Sequence, residues 1–388
     1  MRARDLGVEV GLGRPGPLNA ITDVAGVRVG HATLIAGDGP LHVGKGPVRT
    51  GVTVVSPHEG EISEEPLFAG CHRLNGNGEL TGLEWIRESG LLTSPVALTN
   101  THSVGVVRDA LARREIEARG PGKLFWSLPV VGETWDGCLN DVNGQHVTAA
   151  HAAAALAAAA PGPVPEGNVG GGTGMICHDF KGGCGTASRI ADCGGRAFAV
   201  GVLVQANHGR RERFQVNGVP VGLLLGDDVV PIPVTPEELA GGEAGTGGAG
   251  STPHGSGSII VVVATDAPLL PQQLSRLAQR AGLGVVLLGA CGDNYSGDLM
   301  LAFSTANRGL TSMSYGESGP LSFPVEVLSL AHIDPLFEAT VEATEEAILN
   351  ALLQAETMTG RDGVTAHALD GERLVALLDR YGRRRFRD

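Results

Sequence analysis

The residues best placed to do chemistry sit at one junction, Gly257–Ser258, within the run GSGSIIVVVATDAPLLP. Upstream the chain is polar and glycine-rich, with no apolar periodicity. Downstream, Ile259 to Ala264 form an unbroken apolar block rich in β-branched residues, the pattern of a buried strand. If the chain is cut before Ser258, a single residue carries both a hydroxyl nucleophile and an α-amine. Such an amine has a pKa of about 7.7–8.0, so part of it is unprotonated at neutral pH and can accept a proton. Taken alone, the run also reads as a Gly/Ser loop that ends at a strand, and that is the commoner arrangement.

Other chemistries leave weaker traces. There is no G-x-S-x-G elbow and no H-E-x-x-H. Among 12 histidines, His102, His178, His208 and His254 fall in expected loops without a companion motif, so a Ser/His/Asp triad stays open. The segment GNVGGGTGMI, Gly167 to Ile176, fits neither a dinucleotide nor a P-loop frame and reads as backbone crowding near a site. The 6 cysteines (Cys71, Cys138, Cys177, Cys184, Cys193, Cys291) contain no C-x-x-C pair, which favours buried thiols over disulfides or a zinc site. No cofactor or metal is expected.

Strands and helices alternate along the chain that must position this junction. Strands are expected at Asn19–His31, Gly51–Val55, Pro95–Thr99, from Leu128 into the polar loop ending at Gly144, at Ala197–Gln205, Val219–Leu225, Ser258 onward, and Leu299–Thr305. Asn75-Gly76 and Asn77-Gly78 mark turns. Helices are expected at Leu83–Ser89, Val106–Ala118, after a Thr148 cap to Pro161, at Pro271–Ala281, after an Asp334 cap, and at Glu372–Tyr381. Residues 226–257 are rich in Pro, Gly, Ser and Thr and read as a mobile linker.

A chain of 388 residues with 42% hydrophobic and 18% charged residues describes a soluble globular protein with a large core. A net charge of −13 argues against nucleic acid or an anionic membrane as partner. No stretch reads as a signal peptide or a membrane span, which places the expected location in the cytoplasm.

Eight segments in consistent order then point to a family. NAITDVAGVRVGH, HRLNGNGE, TNTHS, GETWDGCLNDVNG, EGNVGGGTGM, VQANHG, GSIIVVVATDAPLLP and NYSGDLMLAFSTAN resemble motifs of the L-aminopeptidase/D-amino-acid esterase-amidase family, which includes β-peptidyl aminopeptidases. The resemblance runs from about Arg4 to Tyr381. It implies a single self-processing hydrolase domain over residues 1–388, folded as a four-layer α/β/β/α sandwich similar to N-terminal-nucleophile hydrolases but connected differently. Cleavage after Gly257 would give a large subunit, 1–257, and a small one, 258–388, that stay together and assemble into a homo-oligomer of αβ heterodimers. The substrates implied are small peptides, amino-acid amides or esters with a free amino end.

The same resemblance assigns roles. Ser258 matches the nucleophile. Ser296 and Asp298, in NYSGD, match a hydroxyl and a carboxylate that orient its amine or hydroxyl, and whether that pair or the amine is the base stays open. Asn207 matches an oxyanion-hole amide, a role its NH₂ can fill; the plainer reading is a turn before Gly209. Glu133 is the candidate for the substrate's ammonium group, against the plainer reading of a surface carboxylate. Trp135 departs from the family, where tyrosine is usual; indole has an N–H donor but cannot relay a proton. Two alternatives are carried. One is an acyltransferase like the ornithine acetyltransferases, whose nucleophile is threonine, so that Ser258 speaks against it. The other is a non-enzymatic Gly-rich binding protein that never cuts itself.

Overall fold

The computed structural model describes residues 1–120, 122–237, 257–311 and 320–385. His254 and most of the expected linker lie outside them. The strands are β1 (Arg28–Ala36), β2 (Val48–Ser56), β3 (Leu67–Gly76), β4 (Leu91–Leu92), β5 (Val96–Asn100), β6 (Val130–Thr134), β7 (Ile176–Cys177) and β8 (Phe180–Lys181). They continue with β9 (Gly183–Asp192), β10 (Ala197–Asn207), β11 (Ser258–Thr265) and β12 (Gly297–Ser304), then a small pair, β13 (Met358–Thr359) and β14 (Thr365–Ala366). The helices are α1 (Leu83–Ser89), α2 (Val104–Arg119), α3 (Ala149–Ala157), α4 (Val221–Leu224), α5 (Pro271–Leu287), α6 (Asp334–Leu353) and α7 (Gly371–Arg380).

Two sheets carry the fold. One has the order β1-β2-β5-β6, the other β4-β3-β12-β11-β10-β9. Period-2 alternation explains how each strand serves two layers at once. In β11, Ile259, Val261 and Val263 join the cluster shared with α5 and α6, while Ile260, Val262 and Ala264 face the other sheet. In the smaller sheet, Val52, Val54, Ala97 and Val131 pack with α2 and α3, while Val55, Val96, Leu98 and Val130 face inward. Strands covered on both faces need no polar side, hence the unbroken apolar block after Ser258. The layers are α/β/β/α, as expected from the family resemblance.

Several local expectations change. Residues Asn19 to Val27 are not strand: Ile21–Asp23 form a 3₁₀ turn, Asn19 has φ 47°, and the strand begins at Arg28. Val219–Leu225 is not strand either. It holds the short helix α4, where Gly222 lies so close to the Arg211 carbonyl that a Cβ would sit 1.6 Å from it. Short apolar runs do not distinguish strand from helix by periodicity. Helix α5 runs past its expected end at Ala281 to Leu287, and β3 and β9 are strands beyond those expected. Asp334 lies in the first turn of α6 and not at its cap.

Arg189 on β9 is fully buried and pairs with two carboxylates of α6, Glu346 at 2.6 Å and Glu342 at 2.9 Å. Arg4 closes on the same Glu346 at 2.9 Å, tying the N-terminal segment to the helix. Removing one partner from a buried pair leaves the others uncompensated, which costs about 3–5 kcal/mol. Arg189→Met is therefore expected to lower stability by about that amount, read as a shifted urea midpoint; a shift under about 1 kcal/mol would contradict the account of this network.

Candidate active site

Ser258 is the first residue of β11 and is only 4% exposed. Strands flank it on both sides. On one side β10 runs antiparallel, and its last residue, Asn207, stands opposite Ser258. On the other side β12 runs parallel, with Asp298 opposite Ile259. The Gly297 N–H donates to Ser258 Oγ at 3.1 Å.

Gly257 is required by close approach. A Cβ there would lie 1.9 Å from the Asn207 carbonyl oxygen and 3.3 Å from Asn207 Nδ2. Asn207 is the end of a strand and not merely a turn residue. Its Oδ1 accepts from the Ile176 N–H at 2.7 Å, which fixes the amide so that Nδ2 faces the Gly257–Ser258 segment.

Ser296 Oγ donates to Asp298 Oδ1 at 2.6 Å. The Asp298 N–H donates in turn to Asn75 Oδ1 at 2.8 Å, across a bulge in the β12–β3 ladder. Burial pushes the Asp298 carboxyl up to about 6, opposed by hydrogen bonds from Ser296, the Ile259 N–H and Asn75. The Ile259 bond sets this carboxylate beside the first peptide of β11.

Glu133, at the end of β6 in the other sheet, is 3% exposed, so it is not a surface carboxylate. Its Oε1 accepts from the Glu79 N–H at 3.0 Å and its Oε2 from the Thr101 hydroxyl. Burial raises its pKa, and these two donors oppose the rise. The Cβ position on Gly78 would be 3.0 Å from Glu133 Oε1 and 3.7 Å from Ser258 Oγ. Both sheets therefore deliver their polar groups to one place. Trp135, half-buried just beyond Glu133, meets His102 edge-to-face with ring centroids 5.9 Å apart.

Among the described residues no histidine hydrogen-bonds to Ser258, and His254 lies outside them. Sequence reasoning missed Asn75, Thr101 and Gly297. Asn75 and Thr101 sit within the motifs HRLNGNGE and TNTHS, where their neighbours suggested only turns. It also missed Lys181, fully buried, whose Nζ donates to the carbonyls of Met175 at 2.9 Å and Gly182 at 2.8 Å. Those bonds hold the loop that carries Ile176. The glycine run before it is crowded as expected: a Cβ on Gly171 would lie 2.0 Å from Gln205 Oε1, and one on Gly172 2.2 Å from the Cys184 nitrogen.

Known proteins are similar to this chain over nearly its whole length. A β-aminopeptidase from Burkholderia sp. superposes with a TM-score of 0.87 at 51% identity, covering 98% of this chain and 99% of that one. The L-aminopeptidase D-Ala-esterase/amidase of Ochrobactrum anthropi, described as a prototype for the serine aminopeptidases and a new variant among the Ntn hydrolase fold, gives 0.87 at 44% identity, covering 99% of each chain. The beta-peptidyl aminopeptidase BapA of Sphingosinicella microcystinivorans is 49% identical over 382 residues, which is 98% of this chain and 93% of that protein. The model of peptidase family S58 matches residues 19–366, a span that holds Ser258, Asn207, Ser296, Asp298 and Glu133 together, and the chain belongs to that family.

Proposed function

We propose that this protein is a self-processing aminopeptidase that cuts its own chain after Gly257 and then uses Ser258 to release the N-terminal residue from small peptides, amino-acid amides or esters. The observation that carries the reading is the placement of Ser258 at the start of β11, between the Asn207 amide and the Asp298–Ser296 pair. In the uncut chain the Ser258 hydroxyl attacks the Gly257 carbonyl, with Asn207 Nδ2 on hand for the oxyanion. The Gly257–Ser258 C–N bond breaks as the proton passes to the Ser258 nitrogen, and water hydrolyses the resulting ester to a Gly257 carboxylate and the free Ser258 hydroxyl and amine. After cleavage the same hydroxyl attacks a substrate carbonyl. Asp298 and Ser296 orient the new amine, and Glu133 holds the substrate's ammonium group with the carboxylate capacity that Thr101 and Glu79 leave free.

The sheet order supports fragments that stay joined. Residues 258–388 supply β11 and β12 at the centre of the six-stranded sheet, flanked by β3 and β10 from residues 1–257. Separation would break ladders on both sides and the Arg189–Glu346 pair.

Amino-acid p-nitroanilides or amides with a free amine are expected to turn over, and their N-acetylated forms are not, measured as initial rates on matched pairs. Equal rates would remove Glu133 and any ammonium site from the account.

Trp135 stands where the family resemblance implies a tyrosine, so an indole N–H takes the place of a hydroxyl. Trp135→Tyr is expected to raise kcat with little change in KM, the mark of an interaction made in the transition state. An unchanged or lower kcat would make the indole a pocket wall.

A further inference from the structure

Behind Asn207, three metal-ligating side chains converge that play no part in the proposed reaction. One donor atom each from Cys177, His178 and His208 lies within 4.8 Å of the others, and all three residues are buried. Cys177 Sγ is 3.8 Å from His208 Nδ1. The His178 ring has its Nδ1 3.3 Å from the Arg210 carbonyl, which can only accept, so Nδ1 carries the proton and Nε2 the lone pair. Both Nε2 atoms, of His178 and His208, lack a hydrogen-bond partner among the described residues, although His178 is 0% and His208 3% exposed. The buried, unpaired lone pair of His178 Nε2 is one that a cation would satisfy, with Cys177 Sγ and His208 Nδ1 as the other donors.

We propose that Cys177, His178 and His208 form a binding site for a thiophilic metal cation, Zn²⁺ in the first place. A thiol with two imidazoles is a donor set for Zn²⁺, which takes sulfur at about 2.3 Å and nitrogen at about 2.0–2.1 Å. Tetrahedral geometry at those lengths sets neighbouring donors roughly 3.5 Å apart. The Cys177–His208 pair is within a few tenths of an ångström of that spacing, and the third donor must close by about 1 Å. On binding, the Cys177 S–H proton leaves to solvent and the thiolate lone pair forms the bond to the metal. The Arg211 guanidinium nearby opposes the added charge, and the Asp179 carboxylate and the thiolate offset it.

Three protein ligands leave one coordination position open. The ion would tie the β7–β8 hairpin to the end of β10. That is the same joint at which the Ile176 N–H holds Asn207.

The test uses full-length protein carrying Cys291→Ser, because Cys291 is an exposed free thiol that would bind metal unspecifically. Metal is supplied during expression, so that a closed site cannot exclude it, and is then exchanged for Co²⁺ after chelation. One equivalent of Co²⁺ is expected to give a thiolate-to-metal charge-transfer band that Zn²⁺ abolishes. The band should be lost on adding Cys177→Ser, and His178→Gln should weaken Co²⁺ binding at least tenfold. Absence of the band, or an equal band with Cys177→Ser, would overturn the proposal. Should Cys177→Ser fail to fold, unchanged Co²⁺ affinity in His178→Gln would overturn it equally.

Discussion

Ser258→Ala is expected to leave one uncut chain with no aminopeptidase activity, a loss on the order of 10⁶-fold, the scale seen when a serine nucleophile is removed. Both effects follow from one atom, since in the proposed reaction the hydroxyl that attacks the Gly257 carbonyl is the hydroxyl later offered to substrate. The variant should fold. The hydroxyl's contact is with the Gly297 N–H, and giving up one such bond costs about 1–3 kcal/mol. Denaturing electrophoresis and a rate assay read the two effects separately. A Ser258→Ala chain that still divides would place the processing chemistry elsewhere. Ser258→Cys, which keeps a nucleophile, is the companion that can still divide slowly.

Asn207→Ala should cost about 10²–10³ in turnover, the usual effect of losing one oxyanion donor. Its side chain has two jobs, however: Oδ1 holds the Ile176 N–H, and Nδ2 faces the junction. Asn207→Asp separates them, because a carboxylate still accepts from Ile176 but cannot donate. Stability close to the parent with turnover reduced as in Asn207→Ala is the expected pair of results. Full activity in Asn207→Asp would mean that the amide only positions the loop.

The centre of the fold was legible because burial on both faces writes a plain signal. Ile259 to Ala264 have no polar position, and the strand is there. The strand β9, GCGTASRIAD, is just as buried but is built from small and polar residues. Its arginine is balanced by carboxylates 153 and 157 positions away, so no local pattern shows a strand. β3 hid behind the Asn-Gly turn formers at its end. The residues proposed for the site were named through the family motifs, and the fold brings Asn207, Ser296, Asp298 and Glu133 around Ser258. What those motifs do not convey is support: Thr101 beneath Glu133, Asn75 beneath Asp298, Lys181 beneath the Ile176 loop. Thr101 and Asn75 reach their partners across 32 and 223 positions, whereas Lys181 bonds carbonyls close by in its own loop. The Cys177–His208 contact likewise spans 31 positions and follows no metal-ligand spacing.

The cut before Ser258 can be measured directly. Purified protein held at neutral pH is analysed by intact mass and by N-terminal sequencing of its smaller fragment. The account predicts two fragments, the smaller running from Ser258 to Asp388 and beginning Ser-Ile-Ile-Val, which co-elute until denatured. A single intact chain after prolonged incubation, or a small fragment beginning at any other residue, would contradict it.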